Sequence, residues 1–212
     1  MIKIDNIRNE YTFSDSPLEE KDKNPFKLFE KWMDDALNSE EREPTAAVLS
    51  TCGSENFPSS RIVLLKFANE DGFVFFTNYQ SQKGKEIEKN PAVGLNFFWS
   101  SLQRQVRITG FAEKTSREIS GKYFHSRPRE SQISAWASAQ SNVIPSRKSL
   151  EQKFTEFQNT YQQQSVPLPP NWGGYRVVPE KMEFWQGRAN RLHDRILYFK
   201  KDEKWELKRL AP

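Results

Sequence analysis

The 212-residue sequence has a single cysteine, Cys52, and only two histidines, His125 and His193. One thiol cannot form an internal disulfide or a CxxC metal site, which leans the chain towards a reducing, cytoplasmic setting. Two histidines without an HExxH pattern are too few for most metal centres, so no metal is expected. No window approaches the ~20 apolar residues of a membrane-spanning helix. The opening MIKIDNIRNEYTFSD holds no apolar run of signal-peptide length, and the chain reads as soluble. Glycine is sparse, with nine residues. Neither GxGxxG nor GxxxxGK is present, which excludes a dinucleotide-binding fingerprint and a P-loop. Internal repeats and low-complexity tracts are absent too.

Charge of both signs is abundant: 32 Lys and Arg against 28 Asp and Glu give a net charge of +4. That balance suits nucleic acid or small phosphorylated ligands, but the cations are interleaved with acids and form no long basic block. Aromatic residues make up 13% of the chain, including six Trp and sixteen Phe, enough to fill a large core. A chain of this length buries roughly 70% of its unfolded surface without needing disulfides or metal.

Residues 1–24 are polar, charged and aperiodic, and read as an arm or lid; residues 25–212 read as one domain. A first helix is expected over NPFKLFEKWMDDALNSE, with Asn24 as N-cap and Pro25 at the first helical position. Its apolar stripe is Phe26, Phe29, Met33, Ala36 and Leu37. Strands follow over TAAVLST, SSRIVLLKF and GFVFFTN, the last two separated by the turn ANEDG. SQKGKEIEKN reads as a short helix stopped at Asn90-Pro91. AVGLNFFWS and QRQVRITGFAEKTS read as strands joined near Ser101, with Val106 and Ile108 facing inwards and Arg107 and Thr109 outwards. Thr115 and Glu118 have capping-box spacing ahead of a helix, and two more helices follow. After a proline-rich connector, strands return from GYRVV onwards. Adjacent strands with short links predict a mainly β, α+β fold, an antiparallel sheet or barrel with helices packed outside.

Several polar groups have chemical potential. In RLHDR, period-2 geometry puts Arg191, His193 and Arg195 on one strand face, about 7 Å apart, and Leu192 and Asp194 on the other. Such a row is either a solvated edge strand or, beside Phe184 and Trp185, a groove for a flat anionic ligand. SSRIVLLK sets Arg61 and Lys66 at the ends of an apolar strand, as snorkelling ends or as phosphate contacts. Ser81, Gln82 and Lys83 open a short helix, where a phosphate can sit. Tyr123, Arg127, Arg129 and Ser131 surround a helix-breaking proline, as a solvated turn or as phosphate donors. Gln140 and Ser141 close WASAQS. The number of separate cationic patches points to more than one phosphate-bearing ligand.

Taken in order, MEFWQGRANRLHDR, SRIVLLK, LQRQVRITG, KYFHSRPRESQISAWASAQS, PNWGGYRV and the closing RLAP resemble the pyridoxine/pyridoxamine 5'-phosphate oxidase family. The resemblance covers residues 25–212. It implies an FMN-binding split β-barrel that works as a homodimer with FMN at the subunit interface. By motif, the implied FMN contacts are Arg61, Ile62, Val63, Leu64, Leu65, Lys66, Phe76, Thr77, Gln82, Lys83, Gln105, Gln140, Ser141, Trp185 and Arg195. The implied substrate contacts are Lys66, Tyr123, Arg127 and Ser131 at the phosphate and Arg191 and His193 at the pyridine ring, these last two also catalytic. Arg8 and Tyr11 in IRNEY resemble a segment that closes over the substrate.

The implied reaction takes a hydride from C4' of pyridoxine or pyridoxamine 5'-phosphate to flavin N5, with O2 giving H2O2, as the last step in forming the vitamin B6 cofactor. One departure stands out: family members often carry arginine where this chain has Gln82, which predicts weaker FMN binding. A passive flavin-binding protein would lack the substrate set. A nucleic-acid binder would need a contiguous cationic face with exposed aromatics.

Overall fold

The computed structural model describes residues 10–11, 23–54 and 56–212; the expected arm, apart from four of its residues, and its Arg8 lie outside the described residues. Helix α1 (Pro25–Leu37) starts as expected, with the Asn24 side chain accepting from the Phe26 N–H at 2.9 Å. Its buried face differs in one respect. Trp32 is buried at 2% exposure whereas Leu37 stands 56% exposed. Position 32 lies one turn after Phe29 and one before Ala36, so the stripe runs 29–32–36 and leaves Leu37 outside.

Among the described residues nine strands follow the order β2-β1-β5-β6-β7-β4-β3, with β8 paired to β7 and β9 to β8. They are β1 (Ala46–Cys52), β2 (Pro58–Leu64), β3 (Phe67–Asn69), β4 (Gly72–Asn78), β5 (Ala92–Trp99), β6 (Arg104–Lys114), β7 (Trp172–Gln186), β8 (Asp194–Lys201) and β9 (Lys204–Arg209). The helices after α1 are α2 (Gln82–Lys89), α3 (Arg117–Ser126), α4 (Arg129–Ala137) and α5 (Arg147–Thr160). The fold is the expected antiparallel sheet with packed helices. SSRIVLLKF is two strands rather than one: β2 ends at Leu64, and the Lys66 N–H bonds the Val74 carbonyl at 2.8 Å as β3 begins its hairpin with β4. Helix α3 is capped by Ser116, which accepts from the Ile119 N–H at 3.2 Å. Thr115, the expected cap, instead exchanges a hydroxyl hydrogen bond with Ser120 at 3.0 Å.

The chain divides into two compact units. The first comprises residues 1–49, 94–110 and 179–212. Its core is aromatic: Phe29 meets Phe97 at 5.4 Å, Trp32 meets Phe184 at 5.3 Å, and Phe184 meets Tyr198 at 5.7 Å between ring centroids. Val106 and Ile108 are fully buried on β6 while Arg107 and Thr109 are exposed, the alternation expected from the sequence. The second unit comprises residues 50–93 and 111–178. There β4 pairs antiparallel with the first half of β7, Phe75 opposite Tyr175, and α3 and α4 pack through Phe124 and Ile133 onto Val166 and Trp172.

Candidate functional site

Within the second unit a cavity of about 500 Å³ opens beside β2, β4, α3 and α4. Ile62, Val63, Leu64 and Lys66 line it from the chain around β2, and Phe76, Thr77 and Lys83 from β4 and α2. Tyr123, Arg127 and Gln140 complete the part expected from the sequence. Exposure alternates along this stretch: Ile62 and Leu64 are exposed, Val63 and Leu65 buried.

Lys83 is the cation most deeply set among these residues, 8% exposed, with long contacts of 3.5 Å to the hydroxyls of Thr77 and Ser81. Burial pushes its pKa down and the nearby Arg61 pushes it further, partly offset by Glu86. Thr77 in turn donates to the Gln140 side chain at 3.0 Å, which ties the loop after α4 to β4. Arg127 lies over the faces of Trp172 and Phe124, 4.9 and 5.8 Å from the ring centroids. Its Nη1 is buried without a hydrogen-bond partner among the described residues, and burial lowers its pKa. A buried guanidinium donor with nothing to bond is a costly arrangement unless an anion completes it. Phe76 stacks on Tyr123 at 4.1 Å and on Trp172 at 5.5 Å, giving the cavity a flat aromatic wall.

Arg61 and Gln82 belong to a neighbouring network. Arg61 bonds the Glu86 carboxylate at 3.0 Å, the Ser59 carbonyl at 3.1 Å, the Ser59 hydroxyl at 2.6 Å, and Thr51. Gln82 donates to the other Glu86 oxygen at 2.9 Å and to Ser59 at 3.3 Å. Burial opposes the charge of Glu86, but hydrogen bonds from Thr51, Gln82 and Arg61 outweigh it and hold the carboxyl below its ordinary value. Ser131 is half-buried at the start of α4, its N–H on the Pro128 carbonyl, and Ser141 is exposed with a left-handed φ of 67°.

The first unit gathers a second group. Here the expected strand through RLHDR is corrected. Strand β8 begins only at Asp194; residues 189–191 form a 3-10 turn in which Asn190 and Arg191 take left-handed φ values of 56° and 61°. Arg191, His193 and Arg195 therefore do not share one strand face. The cause is side-chain bonding around the loop. The Arg188 N–H donates to His193 Nδ1 at 3.0 Å, and Asp194 bridges the side chains of Arg188 at 2.9 Å and Arg209 at 2.7 Å, closing the loop onto itself.

Arg191 is exposed, and His193 sits against Trp185 with centroids 4.7 Å apart. Tyr11 meets both Trp185 and His193 edge-on, each at 5.4 Å between ring centroids. Burial lowers the His193 pKa and Arg191 lowers it further. Arg195 bonds the buried Glu183 at 2.9 Å and the Ala211 carbonyl at 2.8 Å, while Gln105 is half-buried on β6. His125 is exposed on α3, with its ring edge against Phe124.

Sequence reasoning missed Asn78, Ser134, Ala135, Ser138 and Trp172, all of which line the cavity. Ser134 and Ser138 are four residues apart at the end of α4, a spacing that puts both on one face and was available to find them. Trp172, inside PNWGG, carried no such signal, because a lone aromatic reads as core.

Two family models match the chain: "Pyridoxamine 5'-phosphate oxidase" over residues 33–161 and "Pyridoxine 5'-phosphate oxidase C-terminal dimerisation region" over residues 172–212. Pyridoxine/pyridoxamine 5'-phosphate oxidase of Leptospira interrogans is 52% identical over 212 residues, covering 99% of each chain. The protein of the same name from Trichormus variabilis is 49% identical, covering 99% of this chain and 98% of its own. Among solved structures, PhzG of Burkholderia lata in complex with tetrahydrophenazine-1-carboxylic acid superposes with a TM-score of 0.87 at 28% identity, covering 91% of this chain and 95% of its own. An FMN-binding protein from Nostoc punctiforme shares the fold, with a TM-score of 0.70 at 15% identity over 89% of this chain and 98% of its own. A split-barrel fold and near-complete coverage by relatives about half identical lead to one conclusion: the chain belongs to the pyridoxamine 5'-phosphate oxidase family.

Proposed function

We propose that this oxidoreductase converts pyridoxine and pyridoxamine 5'-phosphate to pyridoxal 5'-phosphate, with FMN as cofactor and oxygen as the final acceptor. The observation that carries this reading is the buried, unbonded Nη1 of Arg127 in a cavity that also holds Lys66, Lys83 and Tyr123. The residues present fit both a flavin and a phosphorylated pyridine. A volume of about 500 Å³ lies within the range of small-molecule sites. Its buried lysine and unpaired guanidinium demand anions, and its stacked aromatic wall suits a flat ring.

Arg61 to Lys66, Phe76, Thr77, Gln82, Lys83, Gln140 and Ser141 of one copy would hold the cofactor, together with Gln105, Trp185 and Arg195 of a second copy. The C-terminal match to a dimerisation region supports that sharing. These residues would hold FMN, which would supply two-electron redox chemistry there, with the substrate as hydride donor and oxygen as the final acceptor, reduced to hydrogen peroxide. This is the final step in making the vitamin B6 cofactor.

The chain's own residues supply position and field. Lys66, Tyr123, Arg127 and Ser131 anchor the substrate phosphate, which fixes how the reacting carbon is presented. Arg191 orients the pyridine ring, with Tyr11 beside His193 at its edge. His193 accepts from the Arg188 N–H at Nδ1, so the neutral ring carries its proton on Nε2 and offers that side as a donor to a ring substituent. Arg195, oriented by Glu183, stabilises negative charge that develops beside it.

The test is oxygen uptake by purified protein with each substrate, alongside aldehyde formation. Aldehyde and peroxide appearing together is the expected result. A yellow protein that consumes no oxygen with either substrate would reduce it to a passive flavin carrier. The PhzG likeness raises a phenazine precursor as substrate, but relatives about 50% identical over the full length favour the pyridoxine reading.

A further inference from the structure

The anion-binding region of the second unit contains a carboxylate that the proposed chemistry does not use. Glu86 sits on α2 one turn beyond Gln82, and its side chain is only 14% exposed. Both of its oxygens are engaged. Oε2 takes Arg61 at 3.0 Å and the Thr51 hydroxyl, and Oε1 takes the Gln82 amide at 2.9 Å. Arg61 is thereby held in a frame of Glu86, Thr51 and Ser59 before any ligand arrives. An arm fixed in advance loses little conformational freedom on binding. The same contact has an opposite electrostatic effect. Arg61, Lys83 and Glu86 together carry a formal charge of +1, where the two cations alone would carry +2. A phosphate dianion approaching Arg61 and Lys83 meets the field of this carboxylate as well, at a distance too short for salt to screen it fully.

We propose that Glu86 is a positioning residue that presets Arg61 and moderates the pull of the site on the FMN phosphate. This rests on the assignment of Arg61 and Lys83 to that phosphate. Gln82 fits the same scheme: its amide satisfies the second Glu86 oxygen without neutralising it, so the negative charge persists.

The experiment is flavin-fluorescence titration of apoprotein with FMN and with riboflavin, which lacks the phosphate. Glu86→Gln keeps an oxygen acceptor for Arg61 and Thr51 and removes the charge, while its new amide N–H2 meets Gln82, whose own amide can turn to present its oxygen. FMN affinity should rise by about tenfold, more at low salt, while riboflavin affinity stays as it was. Glu86→Asp keeps the charge on a shorter arm and should not tighten FMN. An unchanged or weakened FMN affinity in E86Q overturns the proposal, and so does an equal shift for riboflavin, the mark of a purely structural role. If E86Q does not fold, Gln82→Arg reads the same balance from the other side. A cation at 82 cancels the Glu86 charge, and FMN alone must tighten; no tightening again overturns it. Wild-type protein that binds FMN no better than riboflavin refutes instead the phosphate assignment beneath it.

Discussion

At the scale of single residues, the polar groups are poised by the company they keep. Arg127 and Lys83 are both cations whose burial works against their charge, and neither has a carboxylate at hydrogen-bond distance among the described contacts. Structural cations in protein interiors are normally paired, so two such groups lining one cavity mark it as a place for anions. His193 is the opposite case, a base held neutral. Protonating it would place a hydrogen on Nδ1, where the Arg188 N–H already points, and would add a cation beside Arg191. Its folded pKa lies below the ordinary 6.5, through burial first and Arg191 second. The sign follows directly. Below about pH 6.5 the unfolded chain takes up the proton before the folded one does, so stability from this residue is complete above that pH and declines as pH falls towards the folded value. His193→Asn keeps an acceptor for Arg188 but does not titrate. Its melting temperature should therefore fall less steeply than that of wild type between about pH 6.5 and 5. Parallel curves would show that His193 is not held neutral by the fold.

At the scale of elements, the sharpest constraint falls at the start of β7, where two glycines admit neighbours that no side chain could. A Cβ on Gly173 would lie 2.1 Å from the Tyr79 hydroxyl, and one on Gly174 would lie 2.7 Å from the Thr115 hydroxyl. Tyr79 has little room to retreat. Its hydroxyl bonds the Gly174 carbonyl at 3.1 Å, and its ring meets Tyr175 edge-on and carries the Lys114 ammonium over its face. Gly173→Ala should cost about 1–3 kcal/mol in urea unfolding, the usual range for overpacking, and Tyr79→Phe in the same chain should recover part of it. A neutral Gly173→Ala would mean that the Tyr79 contact is dispensable. Elements of this kind were largely legible in the sequence. Short apolar runs bounded by turn residues gave β2, β4 and β5, period-2 alternation gave β6, and the Asn24-Pro25 start gave α1. What escaped was set by contacts distant in sequence. The strand expected through RLHDR yields to a left-handed turn because Arg209, on β9, and Arg188 share Asp194. Trp172 becomes a cavity wall only once Arg127 and Phe76 reach it. Local pattern carries no record of such meetings.

At the scale of the whole molecule, the proposed site residues divide between the two units. Arg61, Lys66, Lys83, Tyr123 and Arg127 belong to residues 50–93 and 111–178, whereas Gln105, Trp185, Arg191, His193 and Arg195 belong to the other unit. Ile62 and Leu64 on β2, at one end of the strand order, stand 62% and 40% exposed, and Phe67 on β3, at the other end, 51%, apolar side chains of the kind a second copy covers. The C-terminal residues 172–212 match a dimerisation region. If each site draws one group from each copy, two defects can complement each other. Arg61→Ala and Arg195→Ala chains, each impaired alone, are mixed, dissociated and reassembled. In a two-fold dimer, random pairing makes half of the particles mixed, and in each of these one site receives both defects while the other receives neither. Activity and tight flavin binding should then return to about a quarter of the wild-type sites. With sites built within one copy, every site in the mixture keeps one defect, and nothing returns. Recovery of that fraction, read by flavin fluorescence and oxygen uptake in the same sample, decides between the two assemblies.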